Sequence, residues 1–282
     1  MPEKSTTARY ALMGHPVAHS LSPKIHNAAF AALQIDAVYE LCDSGEAGPR
    51  ETVRQLIDKG YAGWNVTMPD KMAVASLCDD LSDEARVIGS VNTVLNRDGS
   101  LYGTTTDGQG FLYALSTLGI TLEGQTMTLL GGGGAAVSML TAAALAGTQR
   151  IAVFCRSSSS RDRIDSLARQ LRDVSACEIE TRPFDDYETM KQLIESSCVL
   201  ANATNVGMGS SGLSPVPASI LSGGTAVFDA IYHPLETPLL TDAKKAGCQT
   251  ANGLPMLIGQ AAAAFELWTG REMPVNLLPP LI

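Results

Sequence analysis

A glycine-rich stretch near the middle of the chain has the residue types and spacing of a loop that binds a phosphate anion. It follows the apolar run 126–130 and consists of Gly131, Gly132, Gly133, Gly134 and Ala135. Together with Ala136, this stretch fits the G-x-G-x-x-G/A spacing, which brings backbone N–H groups close to a pyrophosphate. A helix beginning there would add the positive end of its dipole. We therefore predict a dinucleotide-binding loop, with a plain flexible turn as the alternative.

The segment that should contact the cofactor ribose lacks an acidic residue. Sites for NAD usually place Asp or Glu about 20 residues after the glycines, at the end of the next strand. Here the strand expected at 151–154 is followed by Cys155, Arg156 and Ser157. Arg156 could pair with a 2′-phosphate, assisted by serine hydroxyls, or could be a solvated surface arginine. The missing acid and the cation in its place favour NADP over NAD.

Two polar clusters in the first half of the chain lie where strands are expected to end. They span residues 65–71 and 103–108 and include Lys71 and Asp107. Ligands of open α/β sheets bind beyond the carboxyl ends of the strands, so both clusters are candidates for a substrate site. By residue type alone, Lys71 could equally be an exposed helix lysine, and Asp107 a helix N-cap.

Short apolar runs alternate with helical patterns along the chain, which predicts the α/β class with a parallel sheet covered on both faces. Ser22 before Pro23 predicts a helix start with Ser22 as N-cap. An Asn-Arg-Asp-Gly sequence at 96–99 predicts a hairpin. The serine run 157–160 is expected to form a loop. A long apolar helix is expected over 253–268 and could pack on the first half.

Composition limits the classes of function. A chain of 282 residues corresponds to about two domains, and its net charge of −9 disfavours partners such as nucleic acid or anionic membranes. The six cysteines are scattered without a C-x-x-C pair, and the polar stretch 1–7 lacks the apolar core of a signal peptide. The longest stretch of small and apolar residues falls short of a membrane span. We therefore expect a cytoplasmic protein.

Three histidines near the N-terminus, His15, His19 and His26, raise the question of a metal site. Prolines interrupt their spacing, and no cluster of carboxylates or thiolates completes a coordination shell. We therefore expect no metal.

Taken together, the polar motifs resemble those of the shikimate dehydrogenase family, in the order in which that family carries them. The matching segments are GHPVAHSLSP at 14–23 with HN at 26–27, NVTMPDK at 65–71, GSVNT at 89–93, TDG at 106–108, the glycine loop, NAT at 202–204 with GM at 207–208, DAIYHP at 229–234, and residues 253–261. The resemblance implies an N-terminal three-layer α/β substrate-binding domain, formed by residues 1–107 and 250–282. It also implies a cofactor domain at 108–249 with a Rossmann-like, doubly wound parallel sheet.

The resemblance assigns roles to individual side chains. Lys71 and Asp107 would be the catalytic pair, because ketone reduction needs a proton at oxygen and a lysine beside a carboxylate can deliver it. The substrate contacts would be Ser20, Ser22 and Tyr232 at the carboxylate and Thr67, Asn92 and Gln260 at the ring hydroxyls. Amide and hydroxyl side chains suit a polyol because they both donate and accept hydrogen bonds. The alternative for this second group is a local turn or helix-face polar role.

By the same resemblance, Thr204, Gly253 and Met256 would lie along the nicotinamide half of the cofactor. For Met256 a plain core role is the alternative. The chain departs from the usual family pattern at Trp64, Thr105, Gly132 and Cys155.

The implied activity is reversible, NADP-dependent reduction of 3-dehydroshikimate to shikimate, a step of chorismate and aromatic amino acid biosynthesis. One alternative is a quinate/shikimate dehydrogenase that uses NAD or NADP. A second is a non-catalytic ligand sensor on the same scaffold. A monomer and a homodimer both remain open.

Overall fold

A computed structural model describes residues 7–209 and 212–281, so most of the polar stretch 1–7 lies outside the described residues. The chain divides into two compact units, Met1–Thr106 with Gln260–Ile282, and Asp107–Gly259. The sequence-based division assigned residues 250–259 to the first unit. The structure places them in the second, because Thr250–Ala251 adds a strand to the sheet of that unit.

The sheet of the first unit is mixed. Its order is β2-β1-β3-β5-β6-β4, and its strands are β1 (Ala8–Gly14), β2 (Ala37–Asp43), β3 (Gly63–Val66), β4 (Asp80–Leu81), β5 (Thr93–Arg97) and β6 (Ser100–Thr104). Strand β5 is antiparallel to both of its neighbours, β3 and β6, whereas the other pairings of this sheet are parallel. The expected hairpin is confirmed, and its two-residue turn has φ angles of 53° at Asp98 and 94° at Gly99. Such a turn suits the twist of paired strands.

Helices cover both faces of this sheet, which gives the three layers. They are α1 (Ser22–Ala32), α2 (Gly48–Asp58), α3 (Lys71–Ala75) and α4 (Asp83–Ile88). The prediction that Ser22 caps α1 is wrong, because Ser22 is itself the first helical residue and the flanking Leu21 has no side-chain cap. The hydroxyl of Ser22 is instead paired with that of Ser20.

The second unit contains a parallel sheet with the order β12-β11-β10-β7-β8-β9. Its strands are β7 (Thr126–Leu130), β8 (Arg150–Cys155), β9 (Glu178–Pro183), β10 (Val199–Asn202), β11 (Ala226–Asp229) and β12 (Thr250–Ala251). Within this sheet the chain starts at the central strand β7 and continues outward through β8 to β9. It then returns to β10, which pairs with β7 on the side opposite β8. The doubly wound prediction is confirmed, and its switch point lies between the carboxyl ends of β7 and β10, where such folds bind nucleotides.

The helices of the second unit are α5 (Asp107–Ser116), α6 (Gly134–Leu145), α7 (Ser158–Leu171), α8 (Tyr187–Glu195), α9 (Pro238–Lys245) and the first part of α10 (Leu254–Thr269). The serine run is not a loop as expected. Ser157 caps α7 by accepting from the Ser160 backbone N–H, and the next three serines form its first turn. Serine is favoured at that capping position.

The two faces of the first sheet bury different side chains. Trp64 is fully buried in a core cluster with Val53 and Leu56 of α2 and Val74 of α3. The opposite face carries an aromatic layer in which Tyr10 stacks on Trp268 of α10 at 4.9 Å. The expected packing of the tail helix on the first unit is therefore confirmed for its second half. Because neighbouring strand residues point to opposite faces, Trp64 is directed away from the side on which Asn65 lies.

Candidate active site

Two hydroxyl groups meet at the start of α1. The Ser20 Oγ donates to Ser22 Oγ at 3.2 Å and accepts from the Ser22 backbone N–H at 3.2 Å. Ser22 is 4% exposed, whereas Ser20 is half-buried. The structure thus brings together the two serines that the resemblance assigns to a substrate carboxylate.

Asn92 and Gln260, both predicted to contact ring hydroxyls, are also brought together. The Asn92 Nδ2 donates to Gln260 Oε1 at 3.1 Å, and its Oδ1 accepts from the Thr106 backbone N–H at 2.8 Å. The backbone donor fixes which end of the Asn92 amide faces Gln260, because an N–H group can bond only to the oxygen. Asn92 is 2% exposed, so this orientation is held in a buried environment.

Three buried polar side chains that the sequence analysis did not assign lie beside these groups. They are Tyr39, Asn65 and Thr93. The Tyr39 hydroxyl donates to Asn65 Oδ1 at 2.7 Å, and Asn65 Nδ2 donates to Thr93 Oγ1 at 2.9 Å. The only sequence signal for them is the occurrence of polar residues at inward positions of buried strands, where an apolar residue would normally stand.

The predicted catalytic lysine and aspartate each begin a helix that follows a strand. Lys71 is the first residue of α3, which follows β3 along the chain, and Lys71 is half-buried. Asp107 is the first residue of α5 and directly follows Thr106. The strands that precede them, β3 and β6, run in the same direction, since each is antiparallel to the intervening β5. The expectation that both clusters follow the carboxyl ends of strands is confirmed.

The histidines do not cluster. His15 Nδ1 lies 2.8 Å from Asp43 Oδ1 at the surface, and His26 is fully buried with its ring stacked on Tyr39 at 4.3 Å. No group of three or more His, Cys, Asp or Glu side chains within 7–209 and 212–281 has the arrangement of a metal site.

Burial lowers the pKa of His26 to about 3, so the ring is neutral at physiological pH. Neither ring nitrogen has a hydrogen-bond partner in the described part of the chain. The imidazole therefore serves as a flat apolar surface for Tyr39, and charging it in place would cost the free energy of desolvation.

This burial predicts a pH dependence of stability. The unfolded ring titrates near 6.5 and the folded ring near 3, so below pH 6.5 the unfolded chain binds a proton that the folded chain does not. The free energy of unfolding should fall by about 1.4 kcal/mol per pH unit, or about 2 kcal/mol between pH 6.5 and pH 5. Urea titrations of the wild-type chain and of His26→Leu measure this slope. The slope should diminish in His26→Leu and persist in the control His19→Gln, which changes an exposed histidine. Equal slopes in all three proteins would contradict the prediction.

The glycine loop of the second unit has the form of an anion cradle. Gly131 has φ 114°, and a Cβ there would lie 3.2 Å from Ala203 O. At Gly133 and Gly134, by contrast, a Cβ would meet no atom within 4 Å, so there is open space beside them. They lead into the 12-residue helix α6, whose first backbone N–H groups lack partners within the helix. Open space, free donors and a helix dipole together fit a pyrophosphate.

Two departures from the family pattern are neighbours in space. A Cβ on Gly132 would lie 3.0 Å from Cys155 Sγ and 2.8 Å from Ser160 Cβ. The thiol therefore occupies the room that a side chain at position 132 would need. Glycine at 132 and cysteine at 155 are mutually compatible for this steric reason.

The end of β8 presents a cation and no acid. Arg156 is exposed and forms no hydrogen bond or ion pair with residues 7–209 or 212–281. Ser157 is adjacent, and its Oγ caps α7 while it lies 2.9 Å from Ser160 Oγ. A guanidinium available at this position suits a phosphate group, which it can bind by two parallel hydrogen bonds.

The remaining predicted cofactor contacts lie on other loops of the same unit. Thr204 Oγ1 donates to Asn202 Oδ1 at 2.7 Å, and its Cγ2 lies against Gly131. Gly253 has no room for a side chain, since a Cβ would lie 2.0 Å from Ala230 O. Met256 is only 9% exposed, which agrees with the core role given as its alternative.

Tyr232, predicted to contact the substrate carboxylate, belongs to the second unit and is half-buried. Burial raises the pKa of its hydroxyl, which keeps it a hydrogen-bond donor at neutral pH. Beneath this loop, burial also raises the pKa of Asp229, whose carboxylate accepts from Asn202 and Thr237. The carboxylate thereby ties the ends of β10 and β11 to the cap of α9.

Comparison with known proteins identifies the family. Residues 12–94 match the model of the shikimate dehydrogenase substrate binding domain, and residues 253–277 match that of the shikimate 5′-dehydrogenase C-terminal domain. A curated relative from Alkaliphilus metalliredigens, named shikimate dehydrogenase (NADP(+)), is 40% identical over 98% of this chain and 96% of its own length. The chain belongs to the shikimate dehydrogenase family. The match to the substrate-binding model includes Ser20, Ser22, Thr67 and Lys71.

Solved structures of family members have the same fold. The shikimate 5-dehydrogenase of Listeria monocytogenes, in complex with shikimate and NAD, superposes with a TM-score of 0.91 at 38% identity, covering 99% of this chain and 98% of its own. The quinate dehydrogenase of Corynebacterium glutamicum, in complex with NAD, gives 0.86 at 27% identity, covering 96% of each chain. In the part of this family member that the structure describes, no helix has the length and apolar character to cross a membrane.

Proposed function

We propose that this family member is an NADP-linked oxidoreductase that reversibly reduces 3-dehydroshikimate to shikimate, in the biosynthesis of chorismate and aromatic amino acids. The observation that carries the proposal is the fixed amide pair of Asn92 and Gln260, which lies in the same unit as the Ser20–Ser22 hydroxyl pair and Lys71. This set combines groups that suit ring hydroxyls, a carboxylate and a carbonyl oxygen. Shikimate carries the corresponding carboxylate and hydroxyls, and in its 3-dehydro form one hydroxyl is replaced by the ketone.

The chemistry requires one hydride and one proton. When bound, NADPH would supply the hydride that the ketone carbon accepts. We assign the proton at the ketone oxygen to Lys71, whose ammonium group donates to the oxygen as negative charge develops on it. In the reverse direction the neutral amine of Lys71 takes the proton from the alcohol, and Asp107 is assigned to the same proton transfer. In this assignment both residues are catalytic.

The other predicted residues bind and orient. Ser20, Ser22 and Tyr232 hold the carboxylate through hydroxyl donors, and Thr67, Asn92 and Gln260 select the ring hydroxyls. For the cofactor, Gly131, Gly132, Gly133, Gly134 and Ala135 hold the pyrophosphate, Arg156 and Ser157 the 2′-phosphate, and Thr204, Gly253 and Met256 the region of the nicotinamide. The first unit is thus the substrate-binding domain, and the second the dinucleotide-binding domain.

The role of Arg156 is testable by cofactor preference. In Arg156→Ala we expect KM for NADPH to rise about tenfold, since an exposed charge-assisted contact contributes on the order of 1–2 kcal/mol. KM for NADH should change less than about twofold, because NADH lacks the 2′-phosphate. Arg163→Ala is the control, because this substitution removes the same charge from an exposed arginine of α7. Equal increases for both cofactors would refute the assignment.

The proposed function itself is tested by measuring the wild-type chain with shikimate and quinate against NAD and NADP. We expect the highest kcat/KM with shikimate and NADP. Comparable values with quinate would instead support a quinate/shikimate dehydrogenase, a candidate favoured by the likeness to the quinate dehydrogenase. No turnover with any pair would support the ligand sensor.

We further propose a cytoplasmic monomer or homodimer that binds neither nucleic acid nor membranes, in keeping with its net charge of −9.

A further inference from the structure

A buried row of polar side chains lies in the first unit and joins the two groups of proposed substrate contacts. Tyr39, Asn65 and Thr93 are 2%, 4% and 0% exposed. At one end Tyr39 interacts with Ser22, and at the other Thr93 donates to Asn92. Polar groups at this depth are costly unless every hydrogen bond is made, so their presence calls for a physical explanation.

The hydrogen bonds of the row have a defined direction. The Tyr39 hydroxyl donates to Asn65 Oδ1, which turns Asn65 Nδ2 toward Thr93 Oγ1 at 2.9 Å and the Asn92 carbonyl oxygen at 3.2 Å. Because Thr93 Oγ1 accepts there, its own proton is free to donate to Asn92 Oδ1 at 2.9 Å. The orientation of Asn92 is thereby fixed from two sides, by Thr93 and by the backbone of Thr106.

At the far end, the row sets the polarity of Gln260. The Oε1 of Gln260 accepts from Asn92, and Nε2 has no hydrogen-bond partner among residues 7–209 and 212–281. The side-chain amide of Gln260 therefore offers a donor to a ligand. An acceptor oxygen of a ring hydroxyl matches that donor.

At the near end, Tyr39 meets the serine pair. The proton of the Tyr39 hydroxyl is committed to Asn65, so the Tyr39 oxygen can act only as an acceptor toward other groups. Burial raises the pKa of Tyr39, and an interaction with Ser22 opposes this in part. Ser22 accepts from Ser20, so its own hydroxyl proton is available to the Tyr39 oxygen.

The position of Tyr39 is itself firmly held. The Oδ1 of Asn27 in α1 accepts from the Tyr39 backbone N–H at 2.8 Å, and the Nδ2 of Asn27 donates to the Tyr39 carbonyl oxygen at 2.9 Å. The ring stacks on neutral His26 with an interplanar angle of 7°. Because Tyr39 is already immobilised at its backbone and its ring, little conformational entropy is lost when it orients neighbouring side chains.

We propose that Tyr39 is a positioning residue that preorganises Ser22 and, through Asn65 and Thr93, Asn92 for substrate binding. It acts without touching the substrate, and the inference rests on the proposed function. Loss of its hydroxyl should weaken binding of the substrate rather than slow the reaction, because the groups it orients are assigned to the carboxylate and the ring hydroxyls. When a variant loses an interaction that stabilises the bound substrate and the transition state equally, KM rises and kcat is unchanged.

Tyr39→Phe tests this role against a matched control. We expect KM for shikimate to rise roughly three- to tenfold, the range that one or two neutral hydrogen bonds supply, with kcat and the KM for NADP within about twofold of wild type. Tyr61→Phe also removes a phenol from the first unit, but its hydroxyl bonds to Glu40 and Arg9. That variant should match the wild type in all three parameters. Equal KM values for shikimate in the two variants would overturn the proposal.

A double-mutant cycle with Ser22→Ala separates positioning from general packing. If Tyr39 acts through Ser22, the rise in KM in the double variant should be smaller than the product of the two single effects. Independent, multiplicative effects would overturn this link. Should Tyr39→Phe fail to fold, Asn65→Ser breaks the row at its next member, and a KM for shikimate like that of the wild type would then overturn the proposal.

Failure of the proposed function has a different signature. If the wild-type chain neither turns over shikimate nor binds it in calorimetry, the proposed function and the role of Tyr39 are both wrong. If the wild-type chain is active and Tyr39→Phe behaves like Tyr61→Phe, only the role of Tyr39 is wrong.

Discussion

Lys71→Ala should lower kcat for shikimate oxidation about a thousandfold, within the range that a positioned acid–base group contributes. The variant loses the group that moves the proton, whereas hydride transfer and the remaining binding contacts are kept. The KM for NADP should change little, because every residue assigned to the cofactor is unchanged in this variant. Nicotinamide absorbance measures both parameters.

The matched control is Lys59→Ala, which removes an exposed lysine that follows α2 in the same unit. It should retain the wild-type kcat. Asp107→Asn keeps the size of the side chain and removes its charge, so we expect it to lower kcat by a comparable order. A Lys71→Ala enzyme within tenfold of the wild-type kcat would rule out the proposed proton donor.

Gly253→Ala should cost at least about 3 kcal/mol of the free energy of unfolding, in the range of severe overpacking. The added Cβ would lie 2.0 Å from the Ala230 carbonyl oxygen and 2.5 Å from its carbon. These are backbone atoms, and Ala230 follows β11 directly, with its N–H bonded to the Asn202 carbonyl oxygen. The obstacle therefore cannot turn aside as a flexible side chain would. Urea denaturation measures the loss.

Gly224→Ala is the control, because a Cβ there meets no atom within 4 Å and the position has no positive φ. Its stability should stay within about 0.5 kcal/mol of wild type. The family resemblance assigns Gly253 to the cofactor, and the experiment distinguishes that role from the packing role. A Gly253→Ala protein with wild-type stability but impaired NADP binding would contradict the packing role and support the cofactor contact.

Much of the fold follows from local pattern. Strand β7 has the predicted bounds, 126–130, because its apolar run ends abruptly at glycine. By contrast, β9 was not predicted, since its residues are half-exposed at a sheet edge and lack the continuous apolar run of a buried strand. The capped helix α9 and the short helix α4 were also not predicted.

The residues of the candidate site were likewise predicted only in part. The resemblance to the family's motifs selected Ser20, Ser22, Asn92 and Gln260, which the structure joins in two hydrogen-bonded pairs. It did not select Tyr39, because nothing in its local sequence marks it. Tyr39 is connected to Asn65 only when β1 and β3 pair and bring β2 alongside.

By itself, the sequence determined the α/β alternation, the cradle of glycines before α6, and the loops that carry the polar motifs. These depend on residue periodicity and on backbone conformations that neighbours along the chain dictate. Only the tertiary structure decided that Gly253 faces a carbonyl group, that Cys155 fills the space beside Gly132, and that Ser22 pairs with Ser20 instead of capping a helix. Those outcomes depend on atoms brought together from distant parts of the chain or on side-chain geometry, and sequence spacing does not record such distances.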